Sequence, residues 1–207
     1  MTEEQTEYVK RKYDNISRKY DKKLEKTEMK FLGEWRKNLL KGLKGDILEI
    51  GVGTGKNLKY YDKDANVTGI YLSSEMLGKA KEKQKILNRK FKLIQMDAQD
   101  LRFEDKTFDC VICTLFLCSA PDPVRVIKEM KRVCKKNGKI LMIEHMLSKN
   151  KIIASIEHLI SPINYWIHGC KLNRDTVENI KKAGLEIEKE TNLRYFDVFR
   201  RIEITNN

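Results

Sequence analysis

The sequence lacks any apolar run close to the ~20 residues that a membrane-spanning helix needs. It also lacks linkers, internal repeats and low-complexity tracts. The first absence excludes a helical membrane span, and the second predicts a single domain over residues 1–207. A chain of 207 residues with 41% apolar and 8% aromatic residues can bury a sizeable core, as expected of a globular protein.

The sequence has one C-x-x-C pair, Cys110 and Cys113, but no second pair that would complete a zinc site. The pair lies in a predicted strand, where residues three apart point to opposite faces, so we expect no metal. The first residues, MTEEQTEYVKRKYD, do not resemble a signal peptide, and five cysteines is an odd number. We therefore expect reduced thiols and a cytoplasmic location. Cys118 and Cys170 are interpreted as small core residues.

Acidic residues are too few to balance the basic ones, which leaves a formal net charge of +12. Such an excess favours anionic partners: nucleic acid, an acidic membrane surface or phosphorylated metabolites. A bias of the genome or of a hot habitat towards lysine produces the same composition. Both interpretations of the charge therefore stay open.

The order of the predicted elements is that of an α/β protein. Residues 1–43 have helical apolar spacing, whereas residues 147–172 are apolar but irregular. Strands are predicted at 46–50, 66–71, 91–95, 108–114 and 139–146, and helices at 56–62, 74–87 and 123–135. After a helix at about 174–183, strands at 185–191 and 194–203 are so close that they must form an antiparallel hairpin. We predict a Rossmann-like three-layer sandwich: a mostly parallel seven-stranded sheet, an antiparallel C-terminal hairpin and an N-terminal helical segment.

The stretch DILEIGVGTGKNLKYY joins a buried strand to a glycine-rich turn. Gly51, Gly53 and Gly55 leave the backbone bare, so that a ligand can approach it closely. A dinucleotide fingerprint would have its third glycine at Lys56, and a phosphate-binding loop would need a G-K-[ST] that is absent. Glu49, just before the first glycine, would repel a diphosphate but suit an ammonium group. The turn therefore predicts a nucleoside that carries an ammonium group.

Five blocks carry a family resemblance: LEIGVGTG, VTGIYLSSEML, MDAQDLRFEDKTFDCVICTLFLCSAPDP, EMKRVCKKNGKILMIEHM and GCKLNRDTVENIKKAGL. With these blocks in this order, the sequence resembles the class I S-adenosylmethionine-dependent methyltransferases. Within that class it looks like the small branch of soluble phosphatidylethanolamine N-methyltransferases and membrane-associated thiol methyltransferases. The resemblance implies an enzyme that moves a methyl group from S-adenosylmethionine to a small-molecule or lipid acceptor, an amine or a thiol, by in-line displacement.

The resemblance also implies that four segments of the chain have different roles. Residues 1–43 would form a helical cap, 44–146 the cofactor-binding core, 147–172 an apolar insertion on the substrate side, and 173–207 a C-terminal helix and hairpin. The residues implied to contact the cofactor are Glu49, Gly51, Gly53, Gly55, Tyr71, Met76, Asp97, Ala98, Thr114 and Leu115. Met76, Asp97 and Ala98 would lie near the adenine, and Thr114 and Leu115 beside the methionine part.

His145 and Tyr20 are the candidate catalytic residues. His145 ends the fifth strand, where open α/β sheets bind their ligands, and would act as a base or position the acceptor. A hydrogen bond to a neighbouring carbonyl is the alternative for His145, and Glu144 is expected to point to the other face. The resemblance implies that Tyr20 helps to close the pocket. Since S-adenosylmethionine already carries an activated methyl group, a strong base is optional and no covalent intermediate is needed.

Tyr71 departs from the family pattern, which has an acid that holds the ribose hydroxyls at this position. Losing such an acceptor costs on the order of 1–3 kcal/mol. Tyr71 can stack on the adenine while another group holds the ribose, the cofactor can bind in a shifted pose, or the residue weakens binding. The last explanation leads to an alternative function, a cofactor-binding protein with weakened or no catalysis.

The acceptor and the oligomeric state are not specified by the sequence. The apolar insertion favours a hydrophobic or amphipathic acceptor. The basic N-terminal helix can rest peripherally on an anionic membrane or pack its apolar face on the domain. The net charge suggests an RNA methyltransferase as a further alternative. Nucleic acid is the less favoured partner, since no N-P-P-[YF]-type motif follows the fourth strand and no RNA-binding module is appended.

Overall fold

The computed structural model describes residues 3–207 and contains a seven-stranded sheet. The strands are β1 (Gly45–Ile50), β2 (Ala65–Tyr71), β3 (Lys92–Gln95), β4 (Phe108–Thr114), β5 (Cys134–His145), β6 (Lys189–Arg194) and β7 (Phe199–Thr205). They lie in the order β3-β2-β1-β4-β5-β7-β6. The first five pair in parallel, and β7 is antiparallel to both of its neighbours. The predicted mixed sheet with its C-terminal hairpin is confirmed.

Helices cover the sheet and form the N-terminal segment. They are α1 (Glu3–Thr27), α2 (Gly33–Leu40), α3 (Ser74–Ile86), α4 (Pro123–Val133), α5 (Lys151–His168) and α6 (Thr176–Lys182), with a π-helical turn at Glu28–Leu32. Asp122 caps α4 by accepting a hydrogen bond from the backbone N–H of Arg125, and Pro123 occupies its first turn. The apolar face of α1 packs on the domain, because Val9 and Tyr13 are buried.

The strand order places a crevice between β1 and β4. From β1 the chain moves outward to β2 and β3, and it then returns to the other side of β1 as β4. The connections after β1 and β4 therefore leave the sheet in opposite directions, which opens a cleft at the carboxyl ends of these two strands. The glycine-rich turn follows β1 directly, so it lies at this cleft.

The helix predicted at 56–62 is wrong, because only Leu58–Tyr60 form a short 3₁₀ turn there. The three glycines before it have φ values of +76°, +54° and +79°, which keeps the chain in a left-handed turn. The side chain of Asn57 then bonds to Glu49 and Thr114 instead of pointing away from a helix. Although its apolar residues have helical spacing, this stretch therefore forms a turn and not a helix.

The irregular conformation predicted for 147–172 is also wrong, since most of it forms α5. Asn150 caps this helix by accepting hydrogen bonds from the backbone N–H groups of Ile152 and Ile153, and Gly169, with φ +70°, ends it. The two C-terminal strands begin later than predicted, at Lys189 and Phe199. Within residues 3–207, none of the helices combines the length and apolar character that crossing a bilayer requires.

Candidate active site

The three glycines of the turn after β1 have different surroundings. A Cβ at Gly51 would lie 2.5 Å from the ring of Phe116, and Gly51 itself has φ +76°. A Cβ at Gly55 would meet Ala80 of α3 at 3.2 Å, whereas Gly53 has room around it. Gly51 and Gly53 line a cavity at the crevice, but Gly55 does not. Gly55 packs closely against Leu58 and against α3, and it lines a separate cavity beside Lys56 and Lys83.

The surroundings of Gly51 and of Gly78 in α3 predict opposite effects of a Gly→Ala substitution at the two positions. Gly51→Ala is expected to lower the free energy of unfolding by at least about 1–2 kcal/mol, because a side chain disfavours the left-handed conformation and clashes with Phe116. Gly78→Ala is the matched control, since Gly78 lies in α3 with nothing within 4 Å of its Cβ position. It is expected to stabilise the protein by about 0.5–1 kcal/mol. Urea denaturation measures the free energy of unfolding of both variants. Equal stability of the two would contradict the left-handed conformation of Gly51 and its close approach to Phe116.

Three adjoining cavities lie at the carboxyl edge of the sheet. The polar cavity, of about 30 Å³, includes Arg36, Glu49, Gly53 and Thr114. The narrow cavity, also about 30 Å³, includes Ser73, Asp97 and Ala98. The apolar cavity, of about 380 Å³, includes Ile16, Leu24, Leu32, His145 and Phe199. The polar and narrow cavities share a wall formed by Gly51, Tyr13, Tyr71 and Phe116. The polar and apolar cavities share a wall formed by Tyr13, Tyr20 and Leu115.

Glu49 is the buried acid of the polar cavity. Its Oε1 accepts a hydrogen bond from Asn57 Nδ2 at 2.9 Å, and its Oε2 accepts one from the hydroxyl of Tyr61 at 2.9 Å. Burial raises the pKa of Glu49 to about 7, although Tyr61, Arg36 and Asn57 favour its ionised form. The carboxyl group therefore changes charge close to neutral pH, and a cationic ligand would favour its ionised form.

Arg36 of α2 is the buried cation of the same cavity, and it was not predicted from the sequence. Its Nη1 donates hydrogen bonds to Asn57 Oδ1 and Thr114 Oγ1, both at 2.9 Å. Its Nη2 lies 3.1 Å from an oxygen of Glu28, which belongs to the π-helical turn before α2. A buried guanidinium near a buried carboxylate matches the two charges of an amino acid. Arg36 can pair with the carboxylate of the amino acid, and Glu49 can pair with its ammonium group.

Tyr71 is packed among aromatic rings and lines both the polar and the narrow cavity. Its ring stands edge-on to Tyr13, with centroids 5.9 Å apart, and to Phe116, 6.3 Å apart. Burial raises the pKa of its phenol well above the usual range. A carboxylate nevertheless lies near the end of β2. It belongs to Asp14 of α1, whose Oδ1 accepts hydrogen bonds from the Ser73 hydroxyl and the Glu75 backbone N–H.

The residues implied to lie near the adenine are separated in the structure. Asp97 and Ala98 line the narrow cavity, and the carboxylate of Asp97 accepts hydrogen bonds from the backbone and side chain of Gln99. Met76 is fully buried beneath the turn, with its Cε 3.7 Å from the Cβ position of Gly53, and lines none of the three cavities. Met76 therefore supports the turn from below.

The loop after β4 carries Leu115 and Phe116 to the cavities. Leu115 adopts the left-handed conformation, with φ +53°, which is uncommon for a branched side chain. Glu144 holds this loop, because its Oε1 accepts hydrogen bonds from the backbone N–H groups of Phe116 and Leu117, at 2.8 and 3.2 Å. Glu144 is fully buried and does not line the apolar cavity, so the expectation that it points away from the His145 side is confirmed.

His145 and Tyr20 lie on the walls of the apolar cavity, so the structure brings the two candidate catalytic residues to one space. His145 Nε2 lies 3.1 Å from Cys170 Sγ. The Sγ of Cys118 completes a cluster in which all three donor atoms are within 4.8 Å of one another. This cluster was not predicted from the sequence, from which Cys118 and Cys170 were expected to be small core residues. Its members are far apart in the chain and share no local motif.

Comparison with known proteins finds methyltransferases similar to this chain. Residues 48–142 match the profile of a family described as a methyltransferase domain. The phosphatidylethanolamine N-methyltransferase of Cereibacter sphaeroides is 41% identical over 115 residues, which cover 55% of this chain and 57% of that protein. A thiol S-methyltransferase of Rattus norvegicus is 30% identical over 153 residues, which cover 70% of this chain and 62% of that protein. The matches therefore span about three fifths of these relatives.

A solved S-adenosylmethionine-dependent methyltransferase from Thermotoga maritima has a TM-score of 0.71 to this chain. The likeness covers 96% of this chain and 100% of that one at 19% identity, so it concerns the fold. Fold and site together define a Rossmann-like α/β protein with an acidic and a basic side chain, Glu49 and Arg36, buried in its cleft. Residues 48–142 thus match a methyltransferase domain, and the chain is similar to S-adenosylmethionine-dependent methyltransferases.

Proposed function

We propose that this protein transfers a methyl group from S-adenosylmethionine to a hydrophobic or amphipathic acceptor, a small molecule or a lipid. The observation that carries the proposal is the pair of opposite charges buried in the polar cavity. Glu49 would take the ammonium group of the cofactor, and Arg36 its carboxylate. The bound cofactor supplies an activated methyl group on a sulfonium, and the chain's own residues then have to orient the two reactants and exclude water.

The nucleoside would cross from the polar to the narrow cavity over Gly51. Its adenine would lie beside Asp97 and Ala98 in the narrow cavity. The ring of Phe116 covers Gly51, so we expect this ring to turn aside when the cofactor binds. Asp14 of α1, whose carboxylate bonds to Ser73 and Glu75 near the end of β2, would accept the ribose hydroxyls in place of the acid that is missing at Tyr71. On this account Tyr71 is an adapted wall of the site and not a defect.

The acceptor would occupy the apolar cavity. Leu115 and Tyr20 line both this cavity and the polar one, so the methyl group and the acceptor would meet at their shared wall. The largely apolar lining keeps water from the reacting atoms. His145 and Tyr20 would orient the acceptor for in-line displacement. An acceptor amine or thiol has to lose a proton before or during attack, and a strong base is not required for that.

We also propose that α5 rests on an anionic membrane and delivers the acceptor from it. The polarity of α5 is inverted: its buried residues are Glu157 and Ser161. Its exposed face carries seven large apolar side chains: Ile152, Ile156, Leu159, Ile160, Ile163, Trp166 and Ile167. An apolar surface of this size on one helix suits an interfacial environment.

Charge around α5 favours an anionic membrane as the partner. Glu157 is its one acidic residue, and it is buried, where it accepts a hydrogen bond from the backbone N–H of Ser148. Lys151 begins the helix, and Lys12 and Lys171 lie at its end, where Lys12 donates a hydrogen bond to the carbonyl of Trp166 at 2.6 Å. Cations that flank an apolar face attract anionic headgroups. The five free cysteines accord with a reducing, cytoplasmic side of such a membrane.

The reaction is tested with S-adenosylmethionine that carries a labelled methyl group. The protein is incubated with separate pools of hydrophobic thiols, membrane lipids and RNA, and the labelled pool is identified. We expect label in the thiol or the lipid pool, and we expect Glu49→Gln to need about 10–100-fold more cofactor for the same transfer. Label in RNA alone, or cofactor binding without transfer to any pool, would contradict the proposal.

A further inference from the structure

We propose that Cys118, His145 and Cys170 bind a zinc ion whose fourth coordination position faces the apolar cavity. The three donor atoms lie within 4.8 Å of one another, and His145 Nε2 is 3.1 Å from Cys170 Sγ. Two thiolates and one imidazole are ligands that zinc prefers, and the donor atoms around a tetrahedral zinc lie about 3.5–4 Å apart. Three protein ligands with one open position are the arrangement of a catalytic zinc site rather than a structural one.

The fold brings the three ligands together from distant segments. Cys118 follows β4, His145 ends β5, and Cys170 follows Gly169, the residue that ends α5. The backbone N–H of Lys171 donates a hydrogen bond to the carbonyl of Cys118 at 2.9 Å, which fixes the third segment against the first. The imidazole of His145 packs against Phe199, with ring centroids 6.1 Å apart. These backbone and packing contacts hold the donors in place without a metal.

The position of the cluster would allow an acceptor in the apolar cavity to bind at the fourth coordination position of the zinc ion. All three residues line the apolar cavity, which the walls at Leu115 and Tyr20 separate from the polar cavity. A ligand in the fourth position would therefore face the proposed methyl donor. Zinc makes a coordinated thiol lose its proton, which yields the nucleophile that methyl transfer needs. This inference rests on the proposed function and makes it more specific, since it selects a hydrophobic thiol as the acceptor.

The step balances without an oxidant or a reductant. The acceptor thiol releases its proton to solvent when its sulfur coordinates zinc. An electron pair of that sulfur then forms a bond to the methyl carbon, while the bond between this carbon and the sulfonium sulfur breaks. The products are a methyl thioether, which binds zinc weakly and leaves, and S-adenosylhomocysteine. The three protein ligands keep the zinc ion through the reaction.

The site is tested with Co²⁺, whose absorption reports both thiolate ligation and tetrahedral geometry. The reduced protein is treated with a chelator, the chelator is removed, and the protein is titrated with Co²⁺. We expect one Co²⁺ per chain with a thiolate charge-transfer band, displaced by Zn²⁺. In Cys118→Ala and in Cys170→Ala the affinity should fall by about 100-fold or more, given that loss of a mere outer-shell partner costs 10–100-fold. Cys110→Ala is the matched control, because Cys110 is a buried cysteine outside the cluster, and it should bind Co²⁺ like the unchanged protein.

Two results would overturn the site: no thiolate band in the unchanged protein, or the same band and affinity in both cluster variants. Circular dichroism checks that the variants fold, and Cys170→Ser at the half-buried position provides a milder substitution. Binding of S-adenosylmethionine is measured by calorimetry on the same samples. Cofactor binding without Co²⁺ binding overturns the metal site alone, whereas Co²⁺ binding without cofactor binding supports the site and contradicts the proposed methyl transfer.

Discussion

Glu49→Gln is expected to weaken S-adenosylmethionine binding by about 10–100-fold, because a charge-assisted hydrogen bond to the ammonium group contributes about 1.5–3 kcal/mol. The substitution keeps the shape of the side chain and an acceptor for the Tyr61 hydroxyl, so it removes mainly the charge. Calorimetry measures the dissociation constant. Glu25→Gln, a change of the same charge at an exposed position of α1, should leave it unchanged.

The pH dependence of this binding follows from the raised pKa of Glu49. The ammonium group pairs with the ionised carboxylate, so with a pKa of about 7 the affinity should fall by up to tenfold per pH unit below 7. The stability of the ligand-free protein should change in the opposite direction. Because burial raises the pKa above its value in the unfolded chain, the contribution of Glu49 to stability is fully present below about pH 4.5 and is lost as pH rises through 7.

Glu49→Gln separates these two effects from those of other groups. The variant should lose both the fall in affinity below pH 7 and the Glu49 part of the fall in stability above pH 4.5. Calorimetry and urea denaturation at matched pH values measure the two. An affinity of the unchanged protein that does not vary between pH 5.5 and 8, where the carboxyl changes charge, would show that Glu49 does not hold the ammonium group.

The paired substitution Ile152→Glu with Leu159→Glu is expected to abolish binding to anionic vesicles. These side chains are 74% and 77% exposed on the apolar face of α5, and burying a large apolar side chain contributes about 1.5–3 kcal/mol. Losing both contributions and adding two negative charges should lower the partition coefficient by at least about 100-fold. Cosedimentation with phosphatidylglycerol vesicles measures it.

Met29→Glu with Ile86→Glu is the matched control for charge and exposure. These residues are 75% and 82% exposed but lie outside α5, so the control should bind vesicles nearly as well as the unchanged protein. Equal loss in both pairs would indicate a general charge effect and contradict the docking of α5. Analytical ultracentrifugation adds a second check. If Ile152→Glu with Leu159→Glu dissociates a dimer and leaves vesicle binding unchanged, α5 is an interface between copies of this chain and not a membrane-binding surface.

The parts of the fold that could be predicted are those encoded by neighbouring residues. β4 was predicted at its observed bounds, because its short and nearly continuous apolar run, FDCVICT, is typical of a strand buried on both faces. The glycine turn was also predictable, since close approach and positive φ angles require glycine. The helix at 56–62 failed because the pattern of apolar residues there does not reveal that Asn57 turns inward to Glu49.

The parts of the candidate site that escaped prediction depend on contacts between distant residues. Arg36 reaches Thr114, 78 residues away, and the one local signal was its position among the apolar residues of α2. The Cys118, His145 and Cys170 cluster joins three segments with no common motif. α5 escaped because its apolar face points outward, so that its residues suggested an irregular cover rather than a surface helix.

The most direct test of the central claim is a crystal structure of the protein soaked with S-adenosylmethionine. We expect the amino group of the compound to lie against the Glu49 carboxylate and its carboxylate against Arg36. We expect its adenine to reach Ala98 past a displaced Phe116 ring. A crevice with no density for the compound, or a diphosphate bound at Gly51 and Gly53 from a competing soak, would contradict it.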